Sequence, residues 1–352
     1  MHPTAVSLLS RPMTTPKVSV CVPTYNGAAF LGETLASISA QTFGDFEILI
    51  VDDGSSDDTV DIAEGFGATE RRARVVRNAV RAGSSARSAN KCLDHTRGEW
   101  VKFLFQDDLM APTCLARMLD AGRRGRLVIA WHDYWFAPDV EPSVRRSYEN
   151  LPTLATDLPG EGAAAERFSG AVLRRWLTNF IGPTSSSFIH RDCFEKYGRF
   201  SADIVSFPDL EYWMRVGSHE GLAIVPESVV TFRVHDRSIS GSLRKDPKRA
   251  FAAELDALLA AVNLARAPEY AALREYAQRL DSPFDAEALV RRAASALRWL
   301  AIDMRYRQRD NAPLERWKNF CARHPIVVDV LRDVDAQRSL WSRAKQAVKA
   351  RL

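Results

Sequence analysis

The 352-residue chain has few cysteines, no long apolar run and little net charge, and each shortage excludes a class of protein. Its five cysteines are scattered, odd in number and contain no Cys-x-x-Cys pair, so we expect neither a disulfide framework nor a cysteine zinc site. No run approaches the roughly 20 apolar residues of a membrane-spanning helix. The net charge of +4 is too small to indicate a nucleic-acid-binding protein. What remains is a globular protein of a reducing compartment.

Composition divides the chain into three parts. Residues 1–16 are polar, rich in Pro and Thr and without a signal-peptide core, so we expect a flexible tail there. Residues 17–243 carry the strand patterns described below. From about residue 245, Ala, Leu, Arg and Glu dominate in long amphipathic segments, which predicts an α-helical C-terminal region over 244–352.

Strand, turn and helix patterns alternate along the first third of the chain. Apolar, β-branched segments begin at Val18, Phe46 and Ala73, and each is followed by turn residues and a helix-spaced pattern. A fourth apolar run begins at Trp100. Because such alternation is typical of right-handed βαβ units, we predict an α/β fold with a mostly parallel sheet flanked by helices.

The fourth run stops on two adjacent carboxylates, Asp107 and Asp108. Open α/β sheets bind ligands at the carboxyl ends of their strands, so this acidic pair is expected where a ligand would lie. Adjacent carboxylates repel each other and are costly to desolvate unless a positive group neutralises them. A divalent cation that also carries substrate phosphates is the partner this pattern favours, and Mn²⁺ and Mg²⁺ both bind in this way.

Six short motifs follow one another in a recognisable order. They are Val20-Cys-Val-Pro-Thr-Tyr-Asn26, Val51-Asp-Asp-Gly-Ser-Ser-Asp57, Gly83-x-x-x-Arg87-x-x-Asn90, Gln106-Asp-Asp108, Asp209-x-Glu-x-Trp213 and Arg233-x-His235. Their order and spacing over residues 17–242 resemble the inverting family 2 glycosyltransferases of the GT-A fold. The resemblance implies a nucleotide-diphospho-sugar transferase, and the C-terminal helical region predicted from composition has no counterpart in it.

The resemblance assigns donor-binding roles to the first three motifs. Pro23, Thr24 and Tyr25 match the segment that holds the nucleotide base and ribose, and Asp53 matches a carboxylate that accepts from a uracil-type ring N–H. Arg87 lies near a predicted helix N-terminus, where its guanidinium and the helix dipole would favour phosphate.

The resemblance also implies the metal site and its surroundings. Asp107 matches the position near the ribose, and Asp108 matches the carboxylate that holds Mn²⁺ or Mg²⁺. His235 matches a metal or diphosphate ligand of many relatives. Arg233 or Arg237 would close over the phosphates, and the pattern does not choose between them.

Inversion requires a general base on the acceptor side. Asp209, just after Pro208 at a predicted helix start, is the first candidate, and Glu211 is its rival. Trp213 is expected to line the substrate site or to pack in the core.

We therefore predict an inverting, metal-dependent glycosyltransferase that moves a sugar from a nucleotide diphosphate, UDP-type favoured, to a saccharide or lipid-linked acceptor. Its expected setting is cytoplasmic assembly of surface polysaccharide or glycolipid. A nucleotidyltransferase is disfavoured, because the segment Pro23-Thr-Tyr-Asn26 is not a Gly-rich signature with a nearby Lys. An inactive nucleotide-sugar-binding module would lack the base or the metal carboxylate, and both residues are present.

The last fifteen residues contain five basic residues and no acidic one. Leu340, Trp341, Ala344 and Val348 recur at helical spacing, so this segment predicts a basic amphipathic helix. Such a helix either contacts an anionic membrane surface peripherally or packs on the rest of the C-terminal region.

Overall fold

The computed structural model describes residues 15–235, 247–280, 284–307 and 312–333. The strands are β1 (Val18–Thr24), β2 (Phe46–Asp52), β3 (Ala73–Arg77), β4 (Trp100–Phe103), β5 (Leu109–Met110), β6 (Leu127–Phe136), β7 (Gly162–Ala163), β8 (Ser187–His190) and β9 (Leu222–Val234).

The helices of the first 235 residues alternate with these strands. They are α1 (Ala28–Ser39), α2 (Thr59–Thr69), α3 (Ser85–Leu93), α4 (Cys114–Ala121), α5 (Pro142–Glu149), α6 (Leu154–Asp157), α7 (Ala165–Arg174), α8 (Arg191–Tyr197) and α9 (Pro208–Glu220). The C-terminal region contains α10 (Pro247–Arg266), α11 (Ala271–Gln278), α12 (Ala286–Arg307), α13 (Ala312–Arg323) and a further helix, α14, over 325–333. Short 3₁₀ helices lie at Thr184–Ser186 and Pro268–Tyr270.

The described strands form one nine-stranded sheet in the order β3-β2-β1-β4-β8-β6-β9-β5, with β7 also paired to β9. β1 lies between β2 and β4, and all three run parallel. Every residue of β1 and β2 is buried, which explains their nearly continuous apolar sequences. β8 is antiparallel to both of its neighbours, so the mixed, mostly parallel sheet predicted from the sequence is confirmed.

The long strands β6 and β9 form a parallel ribbon that extends past the rest of the sheet. The sequence predicts two strands at 222–225 and 229–234, whereas the structure has one continuous β9. The pairing of β6 and β9 shifts around Trp131, where an irregularity lets both strands continue. β9 thereby carries Arg233 and His235 to the acidic pair that follows β4.

Helices cover both faces of the sheet. One buried cluster includes Leu31 and Ile38 of α1 with Cys114 and Met118 of α4. On the opposite face, residues of α3, α7 and α9 form a second cluster, which also contains Tyr270 of the C-terminal region. The helical C-terminal region therefore shares a hydrophobic core with the residues before it.

Two expectations from the sequence lie outside the described residues. The boundary expected near residue 243 falls in one gap, and the basic helix expected over 338–352 lies beyond the last described residue. Among the described residues, no helix is both long and apolar enough to cross a membrane.

Candidate active site

The turn after β1 is held by the first acidic pair, Asp52 and Asp53. Asp52 accepts hydrogen bonds from the Thr24 hydroxyl at 3.0 Å and from the backbone N–H groups of Gly54 and Ser55 at 3.0 and 2.9 Å. The backbone N–H of Asp53 donates to the carbonyl of Thr24 at 2.8 Å. Pro23 and Thr24 are buried, so of the predicted base-binding residues Tyr25 is the exposed one.

The Asp53 side chain is also committed to the loop that follows β3. Its Oδ1 accepts from Asn78 Nδ2 at 3.0 Å and from the Ala82 N–H at 2.5 Å, and its Oδ2 accepts from the Gly83 N–H at 3.0 Å. With 2% of its surface exposed, Asp53 holds this loop in place. Contact with a ring N–H would have to use a remaining lone pair of Oδ2.

Tyr25 lies beneath this loop and is oriented by Gln106. The Tyr25 N–H donates to Gln106 Oε1 at 2.8 Å, and Gln106 Nε2 donates to the Tyr25 carbonyl at 3.0 Å. The Arg81 guanidinium lies 3.8 Å from the centroid of the Tyr25 ring, which is 37% exposed. An aromatic face paired with a guanidinium is a suitable platform for a nucleobase and a negatively charged phosphate.

The second acidic pair, Asp107 and Asp108, points in two directions. Asp108 is 1% exposed, its Oδ1 accepts from the Arg233 N–H at 3.0 Å, and its Oδ2 accepts from the Ser185 hydroxyl. Burial raises its pKa to about 8. The structure therefore departs from the expectation for Asp108, because both oxygens of this residue are held inside the protein rather than facing a cleft.

Asp107 is partly exposed and lies beside His235, with 3.1 Å between Asp107 Oδ2 and His235 Nε2. Two ligands of one cation at bond lengths near 2.1 Å and roughly a right angle are about 3 Å apart. Carboxylate and imidazole groups both suit Mn²⁺, so this pair fits a divalent-cation site. Among the described residues there is no group of three or more Asp, Glu, His or Cys side chains that could hold a metal ion.

The Arg233 side chain holds the backbone of the Asp107–Asp108 pair. It donates to the carbonyl of Asp107, to the carbonyl of Phe30 at 3.2 Å and to the carboxylate of Glu33. Because the side chain is buried and fully engaged, Arg233 does not close over phosphates as the sequence suggested. Arg237, the alternative, lies outside the described residues.

Asp209 lies at the start of α9, where Pro208 occupies the first turn. Its Oδ1 accepts from the Leu210 N–H at 2.7 Å, and its Oδ2 accepts from Asn179 Nδ2 at 3.2 Å. Burial raises its pKa to about 6 even though these donors favour the ionised form. A carboxylate with a pKa near 6 is ionised at neutral pH and retains basicity, which suits a general base.

Glu211 faces away from Asp209 and into the protein. Its carboxylate accepts from Arg215 Nε at 2.7 Å, from Arg215 Nη2 at 3.0 Å and from the Tyr270 hydroxyl at 2.7 Å. This buried network engages both carboxylate oxygens of Glu211, so the geometry favours Asp209 for the general-base role, which stays a prediction. Trp213 is likewise fully buried and donates to the Gly182 carbonyl at 3.3 Å, so it packs in the core and does not line the substrate site.

The segment 179–187 connects the second acidic pair to Asp209. Asn179 donates to the Gly182 carbonyl at 3.1 Å as well as to Asp209, and its Oδ1 accepts from the Gly182 N–H at 3.0 Å. Six residues further on, the Ser185 hydroxyl donates to Asp108, and the Ser185 carbonyl accepts from the buried Lys102. The segment before β8 therefore contacts both Asp108 and Asp209, beside the carboxyl end of β4, where the ligand cleft of an open α/β sheet is expected.

Arg87 lies apart from these groups, at a cavity of about 520 Å³ between the loop before α3 and the C-terminal helices. Ser84 caps α3 by accepting from the Arg87 N–H at 3.3 Å. The exposed Arg87 side chain shares this cavity with Arg316 and Arg323. A phosphate role for Arg87 stays a prediction.

Several residues of the site carry no sequence signal of their own. Asn179 and Ser185 donate to Asp209 and Asp108 through uncharged side chains, which no charge pattern marks. Lys102 interrupts the apolar run that begins at Trp100, yet its ammonium is buried and its pKa is lowered by burial to about 8. The Arg81–Tyr25 contact follows from loop geometry that only the structure supplies.

Comparisons with known proteins agree with this geometry. A family model described as glycosyl transferase family 2 matches residues 19–198, slightly more than half of the chain. An uncharacterized protein of Mycobacterium tuberculosis is 30% identical over 233 residues, which is 64% of this chain and 69% of that protein. The GalNAc(5)-diNAcBac-PP-undecaprenol beta-1,3-glucosyltransferase of Campylobacter jejuni is 34% identical over 110 residues, or 31% of this chain and 36% of that one.

Two solved structures share the fold. TarS 1-349 of S. aureus in complex with UDP-GlcNAc is similar with a TM-score of 0.56 and 15% identity, over 91% of this chain and 83% of that chain. The mannosyltransferase PcManGT of Pyrobaculum calidifontis, in complex with GDP-Man and Mn²⁺, is similar with a TM-score of 0.52 and 19% identity, over 95% and 92% of the two chains. At these identities the likeness concerns the fold, which matches the GT-A architecture expected from the sequence.

Proposed function

Because the chain belongs to glycosyl transferase family 2, we propose that this glycosyltransferase inverts the anomeric centre and depends on a divalent cation. The donor is a nucleotide-diphosphate sugar, and the acceptor presents a hydroxyl group. The observation that supports the proposal is the segment 179–187, which contacts Asp108 through Ser185 and Asp209 through Asn179. A leaving diphosphate and an attacking hydroxyl need groups of these two kinds on opposite sides of a sugar carbon.

Asp209 is the proposed general base. Its carboxylate takes the proton from the acceptor hydroxyl as the oxygen attacks the anomeric carbon, and Asn179 keeps Oδ2 oriented during that transfer. The raised pKa of about 6 increases its basicity while leaving it ionised at neutral pH. Glu211 is not part of the proposal, because it is paired with Arg215.

Asp107 and His235 are the proposed ligands for Mn²⁺ or Mg²⁺, and Asp107 replaces Asp108 in this role because Asp108 is turned into the protein. When bound, the cation would neutralise the diphosphate as it departs. Arg233 holds the Asp107 carbonyl, and Asp108 accepts from the Arg233 N–H. These bonds orient Asp107 toward the cleft.

Tyr25 and Arg81 are the proposed support for the nucleotide. A UDP-type donor is favoured, since TarS shares the fold and was solved with UDP-GlcNAc. The saccharide or lipid-linked acceptor is proposed by analogy with the Campylobacter relative, whose name describes an undecaprenol-linked substrate. We place the reaction in cytoplasmic assembly of a surface polysaccharide or glycolipid, with peripheral membrane contact through the basic segment 338–352.

The test is a screen of nucleotide sugars for hydrolysis or transfer, with and without a chelator. We expect one class of donor to turn over only with Mn²⁺ or Mg²⁺. With an acceptor identified, proton NMR of the first product formed would give the anomeric configuration. Equal turnover in chelator would remove the cation from the proposal, and a retained configuration would remove Asp209 as the base for direct displacement.

A further inference from the structure

The segment that carries Asp209 is held on both sides by residues of the C-terminal region. Before Asp209, the carboxylate of Asp256 accepts from the backbone N–H groups of Val205 and Ser206 at 3.0 and 2.7 Å. After it, the Tyr270 hydroxyl donates to Glu211 at 2.7 Å. The two contacts come from different elements, α10 and the short 3₁₀ helix at Pro268–Tyr270.

The carboxylate of Asp256 serves as the acceptor for two backbone N–H groups. Both hydrogen bonds end on the same oxygen, Oδ2, and the residue is buried. Backbone N–H groups in such a place destabilise the loop when they are left without an acceptor. Asp256 therefore stabilises one conformation of the loop that leads into α9.

The contact at Tyr270 belongs to a buried network. Glu211 joins the Tyr270 hydroxyl to Arg215, and Arg215 Nη2 donates to the Arg199 carbonyl at 2.8 Å. Burial, followed by the charge of Glu211, raises the pKa of Tyr270 well above its usual value, so the hydroxyl remains a donor. The first turn of α9 is thereby connected to the C-terminal region and to the loop after α8.

Hydrophobic contacts also link the residues before Asp209 to the C-terminal region. Ile204 is fully buried in a cluster formed with Phe251 and Leu255 of α10. Phe207 packs against both this cluster and the cluster that contains Tyr212 and Trp213 of α9. The residues just before Asp209 thus lie between two cores, one of which the C-terminal region supplies.

We infer that the C-terminal region is part of the catalytic apparatus: Asp256 and Tyr270 are positioning residues that fix the 205–211 segment and so place the Asp209 carboxylate against the acceptor hydroxyl. Neither residue touches the reacting atoms. The inference rests on the proposed role of Asp209 as general base. It predicts that changes in the C-terminal region alter the chemical step and leave donor binding in place, because the donor is held by β1, β2 and β4.

The experiment compares Tyr270→Phe and Asp256→Leu with two matched controls, in the full-length protein. Tyr276→Phe removes a hydroxyl from α11 that lies beside Gly170 of α7, away from the 205–211 segment. Asp256→Asn retains one oxygen able to accept both backbone bonds. We expect Tyr270→Phe and Asp256→Leu to lower kcat by about 10-fold or more, since a misplacement near 1 Å costs up to about 10²-fold. Donor KM should change by less than about twofold, and both controls should stay near wild type.

Thermal unfolding and donor affinity accompany each assay, so that loss of fold is recognised. If Asp256→Leu does not fold, Tyr270→Phe decides the question. An unchanged kcat in folded Tyr270→Phe, or equal losses in Tyr276→Phe, would overturn the inference. Asp209→Asn separates the two proposals: if that variant keeps full turnover, the role of Asp209 fails, and if it loses turnover while Tyr270→Phe does not, only the positioning role fails.

Discussion

The two acidic pairs of the molecule look alike in sequence and differ in use. Asp52–Asp53 ends β2 and Asp107–Asp108 follows β4, and both strands flank β1 in the parallel part of the sheet. In the first pair, both carboxylates accept hydrogen bonds from nearby loops. In the second pair one carboxylate, Asp108, is held in the same way, and the other, Asp107, lies beside His235 at the cleft.

The difference indicates that carboxylates at a strand end usually have a structural role. Loops that leave a strand expose several backbone N–H groups, and a buried carboxylate satisfies them. Three of these four carboxylates have that architectural role. Asp107 differs because His235, just after β9, brings an imidazole to it rather than backbone N–H groups. The comparison predicts that substitutions in the two pairs will have unequal effects.

The largest effect is expected at Asp107. Asp107→Ala should lower transfer by about 10³-fold, because cation stabilisation of the departing charge is worth several kcal/mol. The measurement is kcat/KM as a function of Mn²⁺ concentration, with Asp120→Ala, a change at an exposed residue of α4, as the control. Chelator-sensitive activity at the wild-type level in Asp107→Ala would contradict the distinction between the pairs.

The next effect concerns Asp209, a partly buried carboxylate outside both pairs. Asp209→Asn should keep donor affinity and lower kcat by about 10²-fold or more, the scale for losing a positioned base. Because burial raises the pKa of Asp209 to about 6, its basic form is lost as the pH falls through that value. Wild-type kcat should therefore decline below about pH 6, and the decline should be absent in the residual activity of Asp209→Asn.

A pH profile without a decline in that region would be evidence against Asp209 as the base. Glu211→Gln supplies the comparison, since Glu211 is paired with Arg215 and Tyr270. We expect the Glu211→Gln variant to show mainly a lower thermal stability. A catalytic loss confined to Glu211→Gln, with Asp209→Asn fully active, would reverse the assignment.

Much of the architecture was predictable because it depends on local pattern. Buried parallel strands such as β2 are continuous apolar runs, and the carboxylates that follow them are visible in the sequence. Which carboxylate faces the cleft was not predictable. Asp107 and Asp108 are neighbours in the chain, and their directions depend on Ser185 and on the β9 residues, more than 70 positions away.

The directions in which Glu211 and Trp213 point were not predictable from the sequence either. Helical spacing indicates that Asp209 and Glu211 point in different directions, but it does not say which one faces the cleft. Tyr270, which donates a hydrogen bond to Glu211, lies in a C-terminal segment that carried no recognisable motif. Long-range polar contacts of this kind leave no periodic signal in a sequence.

A smaller effect is expected in the first pair. Asp53→Asn places an amide NH₂ where one of three donors requires an acceptor, which should cost about 1–3 kcal/mol of unfolding free energy. The loop it holds carries Arg81 over Tyr25, so donor KM should rise by a few-fold while kcat is kept. Urea unfolding and donor KM measure the two consequences. Asp58→Asn, at an exposed neighbour, is the control, and equal changes in both variants would contradict the loop-holding role.

The smallest effect is expected at Asp108, where the original sequence pattern favoured the largest. In Asp108→Asn the amide oxygen still accepts from the Arg233 N–H, and the amide NH₂ donates to the Ser185 hydroxyl, which can reorient to accept. Both contacts survive the exchange, so transfer should stay within about threefold of wild type. Asp108→Leu removes both acceptors and should lower the unfolding free energy by about 1–3 kcal/mol for each stranded donor. The measurement compares the transfer activity of Asp108→Asn with that of Asp107→Asn. If both variants lose equal activity, Asp108 rather than Asp107 alone would have to be regarded as a cation ligand.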